Sequence, residues 1–562
     1  MNASARERSL GFVLAVSSVP VAIEGLLSAK PVIGPYGLIS GLPLEFLIGS
    51  AMTAAAISIE ALSRKPSSFV LVSEIALFIA WVWLGPELIF QGLPFPAAGH
   101  DLSFYPESAA IIQTGHIDPA KYIYQSWPGE FIFFSVATKM VGSTNYIQIF
   151  RVIPYLENLA ISLFIFVFAK SITKVHGIQV ATLAVLMFEA LNYTEVLTTA
   201  TPFAFGYVLY YCAVYLLLAG INSGSLVRKS PIVILIIILS ALAISHPEIE
   251  LVTSFAVGSI TLFTIFFMKK TWADLWRLMA ISSFALVGWT IFSGASYFSA
   301  FGGASIFASL FQFPEAIVSG SVGRFAGSNS YIILDEFKLA VVLILSSGAL
   351  IVIAKGFKDR DRKLIPLAFV AVAVGAAFIP IGNLQGNVYT IRVFAYLLPA
   401  LAAATAAGVF KLEFKLGKRA TKLVVFAIII LLSSSSFVLI YSNLAVDNVS
   451  SSSIESAWYF GQYAKIPTEG QYSIAEVQFV GSYGPSLSLL SPYTTSAISI
   501  DILKSNAFAF VVLGSDTKLA LLFGGWNATE LATTTNEIMT NHQYNLVYST
   551  GSDSLLQKIN GG

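Results

Sequence analysis

The sequence has 562 residues, of which 56% are hydrophobic and only 11% are charged. Soluble domains carry about 25% charged residues, so this composition excludes a soluble enzyme and predicts an integral membrane protein with many spans. The formal net charge is +1 and no dense basic run occurs, so we expect no nucleic-acid partner. The sole cysteine, Cys212, lies in an apolar segment, which excludes an internal disulfide and a cysteine-based metal site.

Apolar runs of membrane-spanning length follow one another along most of the chain. Arg6 and Arg8 precede the first run and no small-residue cleavage site follows, so we expect a retained first helix. A span needs about 17–25 mostly apolar residues, and thirteen runs approach that length. Residues 128–142 are apolar but too short to cross, so an interfacial or re-entrant helix is expected there. The expected spans are 9–28, 38–62, 68–90, 147–170, 177–194, 203–221, 231–246, 249–268, 276–294, 337–354, 364–381, 391–410 and 423–442.

Basic residues are distributed unequally between the two sides of the predicted bundle. Most of the chain's 32 lysines and arginines fall in loops on the side of the N-terminus. Because positively charged loops stay in the cytoplasm, this bias predicts a cytoplasmic N-terminus in the cell membrane. With thirteen spans, the C-terminus and the long loops 91–146 and 295–336 then lie outside the cell.

The last part of the chain differs in kind from the rest. Residues 1–442 hold all the expected spans, whereas 443–562 are richer in Ser and Thr and hold none. Alternating apolar patterns predict strands at 508–513 and 544–548, and helical patterns appear nearby. We expect a small extracytoplasmic α/β domain at 443–562, with helices at 453–463 and 529–542.

The 91–146 loop is the strongest candidate for a functional segment, because long ordered loops are usually functional. A helix is predicted at 103–114, with Asp101 at its start and Gly115 as its stop. Three purely structural alternatives remain open. Asp101 has the residue type of an N-cap, Glu107 suits the helix dipole, and His116 suits a solvated C-terminal cap.

Ionisable residues near the outer ends of the spans add to this loop. They are costly at membrane depth and by default indicate function. These residues are Glu189, His246, Glu248, Arg324 and Arg392. The alternatives are a boundary histidine for His246 and snorkelling side chains for the two arginines. Four further glutamates within the first three spans receive no assigned role, namely Glu24, Glu45, Glu60 and Glu74.

The pattern resembles the GT-C polytopic membrane glycosyltransferases, especially archaeal members. The resemblance rests on Gly99-His-Asp-Leu-Ser-Phe-Tyr-Pro-Glu107 through Ile117, on Trp127-Pro-Gly129, and on the strand-like 544–551 segment. Two features depart from the family. The loop follows the third expected span rather than the first, and no Asp-x-Asp motif is present.

The resemblance implies a GT-C-like fold and an enzyme that uses a polyprenyl- or dolichyl-phosphate-linked sugar. Asp101 would be the general base of an inverting transfer to a glycan, lipid or protein acceptor. No cofactor is assigned, and the candidate is a divalent cation, Mg²⁺ or Mn²⁺. The remaining residues expected to bind substrate are His100, Tyr105, Glu107, His116, Glu130, Glu189, His246, Glu248, Arg324 and Arg392.

Two other functions fit the composition. A transporter or flippase of lipid-linked saccharides also needs many spans and a polar interior, although no internal repeat supports duplicated transporter halves. A membrane-anchored scaffold that binds a partner through its tail is the other alternative, although anchoring needs far fewer spans.

Overall fold

The structure is a computed structural model, and the helical region dominates what it describes. The described residues are 3–29, 38–89, 101–119, 123–142, 147–173, 176–192, 202–223, 229–268, 273–289, 291–292, 329–358, 364–374, 388–411, 417–441, 510–513, 533, 536, 544–549 and 554–558.

Fifteen α-helices are found within the described residues, and we number them in chain order. The first eight are α1 (Ala3–Ser28), α2 (Leu44–Ala61), α3 (Ser68–Ile89), α4 (Asp101–Thr114), α5 (Gly129–Val141), α6 (Ile147–Ile172), α7 (Gly177–Leu191) and α8 (Pro202–Ser223). The others are α9 (Lys229–Ala243), α10 (Pro247–Met268), α11 (Ala273–Trp289), α12 (Asn329–Lys358), α13 (Ile365–Val374), α14 (Val388–Lys411) and α15 (Lys418–Tyr441).

Each of the thirteen expected spans coincides with one of these helices, and α4 and α5 fill the loop between the third and fourth spans. Among the described residues, seven helices are long and apolar enough to cross a membrane, and several shorter apolar helices accompany them. The polytopic helical membrane protein is therefore confirmed. The number of thirteen crossings and the orientation of the termini stay predictions.

The two helices before the long loop form a tight hairpin. A Cβ atom on Gly49 of α2 would lie 2.7 Å from the Cβ of Ala22 on α1, so only glycine permits this approach. Glu60, near the end of α2, accepts a 2.6 Å hydrogen bond from the backbone N–H of Ser67 and thereby caps α3. One of the unexplained glutamates thus has a structural role.

The centre of the bundle is formed by α6, α7, α8 and α14. Where α8 meets α14, five tyrosines are fully buried and pack ring against ring. The Tyr211 hydroxyl donates to the carbonyl of Ala395, which joins the two helices directly. Aromatic pairs each add about 0.5–1.5 kcal/mol beyond their buried area, so this cluster is a rigid part of the core. Its members are Tyr207, Tyr210, Tyr211, Tyr215 and Tyr396.

The C-terminal part contains a three-stranded antiparallel sheet. Its strands are β1 (Phe510–Leu513), β2 (Tyr544–Ser549) and β3 (Ser554–Lys558), in the order β1-β3-β2. The strands expected at 508–513 and 544–548 coincide with β1 and β2, whereas β3 was not expected.

The two helices expected in this region are covered only in part. The helix at 453–463 lies outside the described residues. Of the helix at 529–542, the structure describes only Thr533 and Asn536, both helical. The boundary of a separate domain at 443 stays a prediction.

Candidate active site

Helix α4 carries the acid singled out by the sequence. The helix was expected from Ser103, but its first residue in the structure is Asp101. It ends at Thr114, and Gly115 follows with a φ of 70°, the left-handed conformation that suits glycine. Asp101 therefore stands at the N-terminal end of an ordered helix, while its side chain lies outside the described atoms.

A buried glutamine attaches α4 to the segment that follows it. Gln125 belongs to a short 3₁₀ turn, Ile123–Ser126, and its side chain is only 1% exposed. Its Nε2 donates to the carbonyl of Glu107 at 2.9 Å, and its Oε1 accepts from the N–H of Asp118 at 2.6 Å. We refer to α4, this turn and α5 together as the outer layer.

The outer layer rests on one end of the helix bundle. The N–H of Gly129 donates to the carbonyl of Ile244 at 2.9 Å, in the turn between α9 and α10. A Cβ on Gly129 would lie 2.5 Å from the Ser245 Oγ, so this contact requires glycine. From α11, the indole N–H of Trp289 donates to the carbonyl of Ser126 at 3.0 Å. The layer thus covers the ends of three membrane helices.

Helix α5 lies in the 128–142 segment, where an interfacial or re-entrant helix was expected, and it has apolar residues on both its buried and its exposed sides. Phe131 and Phe134 are buried, whereas Val136, Met140 and Val141 are exposed. Apolar residues that face outward on a short helix suit the boundary between headgroups and acyl chains.

Glu107 is a buried carboxyl in the middle of α4. It is 6% exposed, and its Oε2 has no hydrogen-bond partner among the described residues. Burial disfavours the charged form and raises the pKa of Glu107 to about 8. At neutral pH this acid is therefore mostly protonated and suited to donate a hydrogen bond.

The raised pKa predicts how Glu107→Gln changes stability with pH. The folded protein keeps the Glu107 proton between its ordinary pKa of 4.5 and about 8, where the unfolded chain has lost it. The stabilisation from Glu107 is therefore complete below about pH 4.5 and falls as the pH rises through 8. Glutamine carries no such proton. The thermal midpoint of the variant minus that of the wild type should therefore increase as the pH rises, by on the order of 2–4 °C.

The measurement is thermal unfolding of both proteins in detergent at pH 5 and pH 8.5. Asp118→Asn changes an exposed carboxyl in the loop between α4 and the 3₁₀ turn and serves as the matched control. A difference between Glu107→Gln and wild type that is equal at the two pH values would contradict the prediction.

Three of the expected substrate-binding residues lie where the outer layer meets the bundle. Glu130 is fully buried in the first turn of α5, and Glu248 lies in the first turn of α10. The His246 ring packs on Phe203 with a centroid distance of 3.9 Å. The structure therefore brings these side chains to the region covered by the layer, and their contacts with substrate stay predictions.

Glu189 lies deeper, between three helices. It is fully buried at the end of α7, its Oε2 accepts from the Trp83 indole at 2.9 Å, and its Oε1 accepts from Ser162 at 2.6 Å. These bonds join α3, α6 and α7. They give Glu189 a packing role, while its expected role in binding sugar stays untested.

The remaining expected residues are described only in part. His116 is exposed just after α4, and its N–H donates to Thr114 Oγ1 at 3.1 Å, which agrees with a solvated helix end. Tyr105 lies in α4 and Arg392 in the second turn of α14, with their side chains outside the described atoms. His100 and Arg324 lie outside the described residues.

Two polar residues were missed by sequence reasoning. Gln125 had only its position before Trp127-Pro-Gly129 as a signal. Glu250 is fully buried in α10, and its Oε1 accepts from Ser282 of α11 at 2.9 Å. Its position two residues after Glu248 placed it among polar outer residues, but no pattern distinguished it.

A groove is present in the helix bundle. It lies between α10, α11 and α13 and has a volume of about 640 Å³. Exposed wall residues such as Phe255, Leu262 and Val287 leave it open to the outside of the bundle, while Ser254 and Ser283 supply local polarity. Val287 in its wall is half a turn before Trp289, the residue bonded to the outer layer. The apolar part of the wall includes Leu251, Phe255, Leu262, Met279, Val287 and Val372.

The metal ion considered from the sequence has no ligand cluster in the described part of the chain. No group of three or more His, Cys, Asp or Glu side chains is arranged there to hold a metal ion. A role for Mg²⁺ or Mn²⁺ stays a prediction.

No protein-family model matches the chain, and no curated protein sequence matches it. Solved structures do. The oligosaccharyltransferase of Archaeoglobus fulgidus, tethered to an acceptor peptide containing the NVT sequon, matches with a TM-score of 0.52 at 12% identity. The match covers 88% of this chain and 74% of that chain. AglB from the same organism, in complex with an inhibitory peptide and a dolichol-phosphate, gives 0.51 over the same shares at 12% identity.

The chain has the GT-C fold. The resemblance found in the sequence is thereby confirmed. ArnT of Cupriavidus metallidurans, bound to undecaprenyl phosphate, gives a TM-score of 0.47 at 13% identity, over 87% of this chain and 98% of that chain. At 12% identity, the likeness to the two Archaeoglobus fulgidus structures establishes the fold alone.

Proposed function

We propose that this chain is a membrane glycosyltransferase that moves a sugar from a lipid-phosphate donor to an acceptor on the outer face. The observation that carries the proposal is the placement of Asp101. It begins a helix that belongs to the outer layer, which is bonded through Trp289 to α11, one wall of an apolar groove, in a chain with the GT-C fold. In this proposal Asp101 acts at the boundary between a lipid-anchored donor and a water-borne acceptor.

The groove supports a polyprenyl or dolichyl donor. Its wall is predominantly apolar, it is open to the outside of the bundle, and its volume of about 640 Å³ is in the usual range for ligand sites. A solved structure with the same fold holds a dolichol-phosphate. In this chain the donor's hydrocarbon tail lies along α10, α11 and α13, and its phosphate lies at the end near Val287.

The proposed reaction is a single displacement. As the acceptor oxygen attacks the anomeric carbon, Asp101 takes the acceptor's hydroxyl proton. The bond between the anomeric carbon and the phosphate oxygen breaks, and its electron pair leaves with the lipid phosphate. Attack from the face opposite the leaving group inverts the anomeric centre.

Positive charge stabilises the departing phosphate, because cations aimed at developing charge contribute strongly in a site that excludes water. Arg392 is the first choice, since a guanidinium pairs with phosphate through two hydrogen bonds. Arg324 and His246 are the other candidates. Glu130 and Glu248 orient sugar hydroxyls. Glu107, when protonated, donates one hydrogen bond to the substrate.

The side of the membrane follows from charge. The basic loops favour an N-terminus in the cytoplasm, and with thirteen crossings the outer layer and the C-terminal sheet would then face the exterior. The acceptor is a glycan, a lipid or a protein. The oligosaccharyltransferase structure with a tethered peptide favours testing peptides first.

Arg392→Ala tests the proposed phosphate contact. Charged hydrogen bonds contribute about 1.5–3 kcal/mol each, so we expect donor affinity to fall about 10- to 100-fold. The measurement is titration of the purified variant with a polyprenyl phosphate. Arg419→Ala removes an exposed arginine at the opposite end of the bundle and should bind like the wild type. Unchanged affinity in Arg392→Ala would remove this residue from the site.

The proposal as a whole is tested with purified protein and a panel of polyprenyl- and dolichyl-phosphate-linked sugars. Mass spectrometry follows loss of donor and gain of a glycosylated glycan, lipid or peptide acceptor. We expect at least one donor and acceptor pair to give product. Failure of every pair with a folded protein that binds polyprenyl phosphate would contradict transferase activity.

A further inference from the structure

Gln125 is a buried polar residue to which the proposed reaction assigns no part. Its two hydrogen bonds both go to the backbone, one to the Glu107 carbonyl and one from the Asp118 N–H. The bonds therefore fix the middle of α4 and the loop beyond its end, and they do not depend on the side chains at 107 and 118. A side chain 1% exposed is costly to bury unless both of its polar groups are satisfied, as they are here.

The neighbouring residue connects the same turn to the groove. The Ser126 carbonyl accepts the Trp289 indole N–H at 3.0 Å, and Trp289 ends α11, the helix that supplies Val287 to the groove wall. The groove and α4 are thus connected through a short series of bonds. Trp289 of α11 is hydrogen-bonded to Ser126 of the 3₁₀ turn, and Gln125 of the same turn is hydrogen-bonded to α4.

We propose that Gln125 is a positioning residue, which holds α4, and with it Asp101, in register with the donor groove. The inference rests on the proposed function. Glu107 is six residues after Asp101, so on a helix rising about 1.5 Å per residue the fixed point is about 9 Å from the acid. Loss of the two Gln125 hydrogen bonds lets the N-terminal end of α4 shift, and a misplacement of about 1 Å can lower the rate about 100-fold.

The test compares Gln125→Met with the wild type. Methionine has similar length but no amide, so the volume is kept and both bonds are lost. We expect the turnover number to fall about 10- to 100-fold while the donor KM stays within about twofold, because the groove itself is unchanged. Hydrogen exchange in the amides of 101–114 should become faster, with no change in α10 or α11.

A second variant separates positioning from simple destabilisation. Gln125→Glu keeps an acceptor for the Asp118 N–H, and only its protonated form donates to the Glu107 carbonyl. Its turnover relative to wild type should therefore recover as the pH falls. The matched control is Thr53→Val, which removes the buried bonds of Thr53 to Ser18 and Trp81 far along the chain from the layer. It should lower stability without lowering turnover.

The outcomes distinguish a positioning role of Gln125 from general destabilisation. Unchanged exchange in 101–114, or faster exchange with wild-type turnover, overturns the positioning role of Gln125. A parallel fall in turnover in Thr53→Val also overturns it, because the effect is then general destabilisation. If no donor supports wild-type turnover, the proposed function fails instead, and the exchange rates alone decide whether Gln125 fixes α4.

Discussion

Asp101→Asn is expected to lower the rate of sugar transfer about 100- to 10,000-fold, the usual contribution of a positioned general base. Asparagine has nearly the same shape but no basic oxygen, so the acceptor proton is left without a receiver. The donor KM should change little, because Asp101 acts on the acceptor. The measurement is steady-state transfer of labelled sugar by purified protein.

Asn is also a favoured residue at helix starts, so this substitution separates chemistry from capping. If Asp101 only stabilises the start of α4, Asp101→Asn should retain near-normal turnover, and the assignment as base would be wrong. Asp118→Asn, in the exposed loop after α4, is the matched control and should transfer sugar at the wild-type rate.

Gly258→Phe is expected to raise the donor KM about tenfold or more. Gly258 lies in the groove wall, and among the described atoms within 4 Å a Cβ there would meet only the Met279 sulfur, at an ordinary 3.6 Å. A phenyl ring therefore extends into the groove without displacing backbone, and it occupies the space of the donor's hydrocarbon tail. Each buried CH₂ of that tail contributes about 0.8 kcal/mol, so displacing even two costs about tenfold in affinity.

A size series makes this prediction sharper. Gly258→Ala should be close to wild type, and Gly258→Leu should be intermediate. Leu350→Phe enlarges an exposed apolar side chain on α12, outside the groove, and should leave the donor KM unchanged. If Gly258→Phe binds polyprenyl phosphate like the wild type, the groove is not where the donor's tail lies.

Much of the fold was predictable because membrane helices are set by local composition. Every expected span has a helix, and the ends of α5 follow from Pro128 and from Gly142, whose φ of 67° closes the helix. The start of α4 was placed two residues late, because the capping pattern fixes a helix start only to within a few residues. Strand β3 was missed because its five residues form too short a pattern.

The site was predictable only in outline. The order of spans and loops predicted that acids and histidines lie at one end of the bundle. It did not predict which residues each of them contacts. Glu189 is held by Trp83, 106 residues away, and this pairing depends on how α3 packs against α7. The same holds for Gln125. Its partners are backbone atoms, so the residue types at 107 and 118 do not reveal the contact. The groove arises from the gap between three helices, which no single segment encodes.

The most direct test of the account is to follow a labelled lipid-phosphate-linked sugar in vesicles that contain the purified chain, with acceptors supplied outside. Transfer predicts one free lipid phosphate for each new glycosidic bond, an inverted anomeric centre, and loss of both signals in Asp101→Asn. Movement of intact donor across the bilayer without cleavage, at equal rates in wild type and Asp101→Asn, would contradict the account and identify a flippase.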